Sequence, residues 1–144
     1  MNPAVPAHEP VEDEDRWRLG LRGLTVTRIE VDAQLRLSLG RDWAVVLEGP
    51  ARLGPVAGPS VRVNPATWGV GVGVGAGAAL PLFGAKVLSA VAFKSGSLRL
   101  VFDTPLMLTC APDPEREAWQ IAGPRGSLFA ARPGGGLDVR PGSQ

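Results

Sequence analysis

Short runs in which apolar and polar residues alternate, each closed by a turn-forming pair or triplet, constrain this chain more than any other feature. Leu35, Leu37 and Leu39 alternate with Gln34, Arg36 and Ser38; Trp43, Val45 and Leu47 follow after Gly40-Arg41-Asp42 and stop at Gly49-Pro50. Leu98, Leu100 and Phe102 alternate in the same way with Ser97, Arg99 and Val101. Successive side chains on a strand point to opposite faces, so a period of two makes a strand with one buried face. With 19 Gly and 14 Pro in 144 residues, long helices are disfavoured and tight turns favoured. The expected fold is mainly β: a two-layer antiparallel β-sandwich or open barrel of about seven to nine short strands, with at most one short helix.

Along the chain, Trp17 and Leu19 alternate with Arg16 and Arg18, and Leu24 to Val31 is rich in β-branched residues, giving a first strand or pair. Val87 to Phe93, the turn Lys94-Ser95-Gly96-Ser97 and Leu98 to Phe102 read as a hairpin, followed by strand-like runs at Leu106 to Cys110, Glu117 to Ile121 and Leu128 to Ala130. Residues 50 to 68 carry Pro50, Gly54, Pro55, Gly58, Pro59 and Pro65 and read as an irregular excursion with at most a short strand at Val61 to Val63. Ala76 to Gly84 suits a short helix despite Pro81, one that would close an open sheet edge. Two meanders separated by a Gly-rich middle result.

Five carboxylates, Glu9, Glu12, Asp13, Glu14 and Asp15, precede the first basic residue, Arg16, so the rest of the chain is +6 although the whole is +1. Residues 1–15 have few large apolar side chains, which predicts a disordered acidic tail ahead of a single β-rich domain over 16–140, with 141–144 frayed. The 13 arginines of the body are interspersed with apolar residues and form no basic run, so a nucleic-acid partner is not expected. One cysteine, Cys110, permits no intrachain disulfide, and the first residues lack the pattern of a secretory signal; the expected location is cytoplasmic. Val63 to Ala85 is free of charge but interrupted by many glycines and two prolines, which argues against a membrane span.

No catalytic, cofactor or metal site is legible. The single histidine, His8, lies in the expected tail, and one His and one Cys do not make a zinc site. Gly71-x-Gly73-x-x-Ala76 fits a relaxed dinucleotide pattern, but no strand precedes it and no acidic residue follows at the required distance. The residues that suggest interaction are Glu115, Glu117, Trp119 and Trp68. Glu115 and Glu117 sit in an acidic stretch, Asp113 to Glu117. The spacing of two places Glu117 on the side of Trp119, so burial of the ring would draw the carboxylate toward the interior and demand a partner for it. Trp68 stands beside the glycines of segment 69–77.

Gly96-Ser97-Leu98-x-Leu100-x-Phe102, Glu117-Ala118-Trp119 and Pro133-Gly134-Gly135 together resemble a group of small actinobacterial proteins classed as a domain of unknown function. In outline the chain is also similar to immunity proteins encoded beside secreted bacterial toxins. The resemblance spans 16–140 and departs at Arg116, where an aromatic residue would be expected. It implies a β-rich fold and no catalytic residues. The expected function is non-catalytic protein binding, immunity-like or regulatory. The alternative is a binder of a small lipid or nucleotide that uses the Gly-rich segment 69–77, with no membrane association and no bound cofactor.

Overall fold

The computed structural model describes residues 8–65 and 76–142. Met1 to Ala7, Trp68 and most of the Gly-rich segment 69–77 lie outside them. Thirteen strands follow in chain order: β1 (Val11–Glu12), β2 (Arg16–Arg18), β3 (Val26–Val31), β4 (Leu35–Leu39), β5 (Trp43–Leu47), β6 (Ala51–Pro55), β7 (Val61–Val63), β8 (Val87–Phe93), β9 (Leu98–Phe102), β10 (Leu106–Cys110), β11 (Trp119–Ala122), β12 (Leu128–Ala131) and β13 (Leu137–Arg140). They form two antiparallel sheets, neither closed into a barrel. The seven-stranded sheet runs β1-β2-β8-β9-β10-β6-β7 and the six-stranded sheet β13-β12-β11-β5-β4-β3.

The alternation read from the sequence sets the buried faces. Leu35, Leu37 and Leu39 of β4 stand opposite Leu47, Val45 and Trp43 of β5, and β11 continues the row with Trp119 against Leu47 and Ile121 against Val45. Leu98, Leu100 and Phe102 of β9, with Leu108 and Cys110 of β10, supply the facing layer, and all of these except half-buried Trp43 are closed to solvent in a single apolar cluster. Fully burying a Leu or Phe side chain contributes about 1.5–3 kcal/mol, so this shared interior is the main stabilising term.

The expected meanders β3-β4-β5 and β8-β9-β10 are present, but they do not make the sheets alone. After β5 the chain crosses to the opposite layer through Gly49, whose neighbour Ala118 leaves room for no side chain without a shift, and the N–H groups of Glu48 and Gly49 both donate to the Ala118 carbonyl. There β6 and β7 extend the seven-stranded sheet, whereas β11, β12 and β13 return to the six-stranded one. The strands beyond those expected include the short pieces β1, β6 and β13. β6 was hidden in the sequence by Gly54 and Pro55; Ala51 and Leu53 nevertheless point inward, and Gly54 is required because Pro59 and Ser60 of the returning chain pack onto its Cα.

Ala76–Leu82 forms a 3-10 stretch rather than an α-helix, with Pro81 inside it. Ala79 and Leu82 are buried, the Gly84 N–H donates to Val26, and the Val26 N–H donates to Ala85. The stretch thus covers the start of the edge strand β3, as an edge-closing element should.

Residues 8–15 depart from the mobile-tail expectation. Val11–Glu12 pairs with Arg16–Arg18, and the His8 N–H donates to the Gly20 carbonyl at 2.8 Å. Gly20 has φ +70°, and a Cβ there would collide with the His8 carbonyl. Asp13 pairs with Arg18, Asp15 with Arg16, and Glu12 with Lys94. A count of apolar side chains could not register what fixes this segment, which is backbone pairing and opposite charge.

Candidate functional site

The three motifs that carried the family likeness meet at one end of the sandwich. The Trp119 ring is fully enclosed, and its indole N–H donates to the Gly96 carbonyl at 2.9 Å. Gly96, at φ +109°, turns β8 into β9 and is wedged against Gly136 and Pro112. The Gly136 N–H donates to Ser95 and the Gly134 N–H to Asp113, which ties the Pro133-Gly134-Gly135 turn to the same point. Asp113 also accepts the backbone N–H groups of Glu115 and Arg116 through Oδ1. This node is structural, a place where an aromatic core residue and three turns satisfy one another.

Among the sequence-suggested site residues, Trp119 is therefore a core residue rather than a surface anchor. Glu115 is exposed and Glu117 half-buried. The expectation that Glu117 follows Trp119 inward is not met, because β11 begins at Trp119 and strand alternation does not reach position 117. Trp68 lies outside the described residues. Cys110 packs as a small core side chain with its thiol 3.5 Å from the Pro50 carbonyl oxygen; burial, and secondarily the Asp113 carboxylate, pushes the thiol up to about 12.

The opposite ends of β5, β11, β12 and β13 build a different environment. A cleft of ≈ 560 Å³ opens there, with Trp17, Trp43, Phe129 and Val139 as its apolar surface and His8, Glu9, Asp42, Arg125 and Arg140 around it. β2 places Trp17, whose ring meets Phe129 edge-on at 5.5 Å and 65°, joining the two sheets across the floor. β5 begins with Trp43, and its ring edge lies so close to the Gly123 backbone that a Cβ at 123 would sit 2.6 Å from it. The rim turn Pro124–Gly126 holds Arg125 at φ 60°, ψ 30°, a left-handed conformation in which a non-glycine residue costs about 1 kcal/mol or more. Ser127 braces the turn through a 2.9 Å bond from Oγ to the Pro124 carbonyl.

Trp17 and Trp43 remain half-buried, and of the three described tryptophans only Trp119 has its indole N–H bonded to protein. Two indole donors, three aromatic faces and a rim carrying both signs of charge are what a concave recognition site offers: apolar area for affinity and a few polar groups for orientation. The sequence offers Trp17 and Trp43 only as members of alternating strands and His8 as part of a tail. The separation of these segments along the chain gave no signal that β2, β5, β12 and β13 would converge. Among the described residues no group of three or more His, Cys, Asp or Glu side chains is placed to hold a metal ion, and no helix is long and apolar enough to cross a membrane.

Fold and cleft together define a two-sheet antiparallel β domain with an aromatic recess at one end. The chain belongs to the family of unknown function DUF6188, which matches residues 17–141. Trp17, Trp43, Phe129, Val139 and both cleft arginines lie within that match, whereas His8, Glu9 and Pro10 precede it. No curated protein and no solved structure matches the chain significantly.

Proposed function

We propose that this domain is a non-catalytic binding module whose ligand site is the cleft at Trp17 and Trp43. The observation that carries this reading is the half-exposed pair of indoles with free N–H donors, set in a recess whose volume of ≈ 560 Å³ falls within the range of small-molecule pockets. The ligand class that fits is a compact ring-bearing molecule with polar groups of mixed charge: the ring contacts Trp17, Trp43 and Phe129, while Glu9 and Asp42 meet cationic groups and Arg125 and Arg140 anionic ones. Equilibrium titration of tryptophan emission with a library of aromatic amino acids, nucleosides and related zwitterions tests it. A saturable change is expected, absent from a Trp17→Phe/Trp43→Phe variant; a change that survives this double substitution would move the site elsewhere.

A second reading, protein binding of the immunity-like kind, is favoured by Leu80 and Phe83, exposed at 63% and 64%. Phe83 follows the 3-10 stretch in a turn where its N–H donates to the Leu80 carbonyl, so the two exposed side chains, three residues apart, offer nearby apolar area to a partner. If a toxin-like protein is encoded beside this one, the two purified proteins should co-elute, and Phe83→Ser should separate them without changing the titration above. Co-elution unaffected by Phe83→Ser would remove this surface from consideration.

A further inference from the structure

The outward face of the seven-stranded sheet carries a row of register partners that runs Arg18, Val91, Arg99, Thr109, Arg52, Arg62 from β2 to β7. The two ends of this row are treated differently. At the β2 end the chain's own acidic segment neutralises it, Asp13 binding Arg18 at 2.9 Å and Asp15 binding the neighbouring Arg16 at 2.9 Å. At the other end Arg52 and Arg62 stand directly opposite each other on paired strands, both exposed, with no ion-pair partner among the described residues. Like charges facing one another across a strand pair are destabilising unless an ion of opposite sign joins them.

Beside them lies a concavity of ≈ 220 Å³ lined by Pro50, Ala51, Arg52, Arg62, Thr109 and Ala111. Its lining contains no carboxylate, and the Thr109 hydroxyl makes no hydrogen bond to the protein among the described residues. We infer that Arg52, Arg62 and Thr109 form a binding site for a compact oxyanion of the phosphate type. Each planar guanidinium presents paired N–H donors that match two oxygens of such an anion, and the hydroxyl supplies a further donor. The volume lies below that of sites for whole cofactors, which selects a single phosphate group rather than a nucleotide. This site lies on a face of the sheet separate from the Trp17–Trp43 cleft and shares no lining residue with it.

The test is an NMR titration of the full ¹⁵N-labelled chain with inorganic phosphate at constant ionic strength, following the arginine Nε–H signals and the Thr109 amide. Saturable shifts are expected at Arg52, Arg62 and Thr109, and not at Arg41, an exposed arginine in the turn between β4 and β5. Arg62→Ala should weaken binding at least about tenfold, and Arg62→Lys, which keeps the charge without the fork, by several-fold. Parallel titration with O-phosphoserine identifies the source: tighter binding of the free ion or of the ester assigns one or the other, and either keeps the site. Shifts that do not saturate, that appear equally at Arg41, or that are indifferent to both Arg62 variants would overturn it.

Discussion

The two ends of strands β11, β12 and β13 use tryptophan in opposite ways. At one end Trp119 is enclosed, its indole N–H is bonded to Gly96, and the turns around it are held by backbone bonds to Ser95 and Asp113. At the other end Trp17 and Trp43 are half-exposed, their N–H groups meet no protein acceptor among the described residues, and the adjoining turn keeps Arg125 in a left-handed conformation. A folded chain keeps large aromatic area out of water wherever nothing else acts on the sequence. The node obeys that rule and the cleft does not, so the node accounts for the fold and the cleft is the place to look for binding.

Substitutions should separate the two ends, beginning with the node. Trp119→Ala leaves a large cavity and an unpaired Gly96 carbonyl and should cost about 3–5 kcal/mol in a denaturant melt. Trp43→Ala, at the cleft, should cost less than half as much, about 1–2 kcal/mol, because part of the ring is already in water. Equal losses would erase the contrast. Gly96→Ala forces a side chain into φ +109° and against Gly136, 3.1 Å from the added Cβ, and should cost about 1–3 kcal/mol. Gly123→Ala instead pushes the Trp43 ring, so its clearest effect should be an altered Trp emission spectrum and weaker ligand response.

Cys110 adds a pH signature to the interior near the node. Its folded pKa, about 12, is above the ordinary value of 9.0, so between these values the unfolded chain releases a proton that the folded chain retains. Stability is therefore complete below pH 9 and falls as pH rises through that window. Cys110→Ala should flatten the alkaline limb of a melting-temperature profile, and an unchanged limb would contradict the burial. The smallest effect belongs to Glu117→Gln, expected within about 0.5 kcal/mol of the parent, since Glu117 lies outside the strand and its carboxylate makes no ion pair or hydrogen bond among the described residues.

What the sequence made legible follows from the range of each signal. Period-two alternation is local, so β4 and β9, which bury one face each, could be read directly, and so could β5, although its Ala44 and Val46 are buried too. β6 was masked because Gly54 and Pro55 are turn residues on any local scale, and the reason for Gly54, the close approach of Pro59 and Ser60, is a tertiary contact. The assignment of strands to sheets was equally hidden, since β6 and β11 must each choose a layer and the chain crosses over at Gly49. The acidic segment was obscured for a related reason: Asp13 finds Arg18 once β1 has paired with β2, and Glu12 finds Lys94 only once β2 has joined β8. The cleft, assembled from five separate segments, left no motif at all, and the likeness carried by Trp119 marks the fold.

Thermal melts of the parent and of a Trp17→Ala/Trp43→Ala variant, each with and without the tightest ligand from the titration screen, test the central claim most directly. The account predicts a ligand-dependent rise in melting temperature for the parent, growing with ligand concentration, and none for the variant, which still unfolds cooperatively in its absence. An equal rise in both, or no rise in the parent with any compact ring-bearing ligand, would contradict the assignment of the cleft as the binding site.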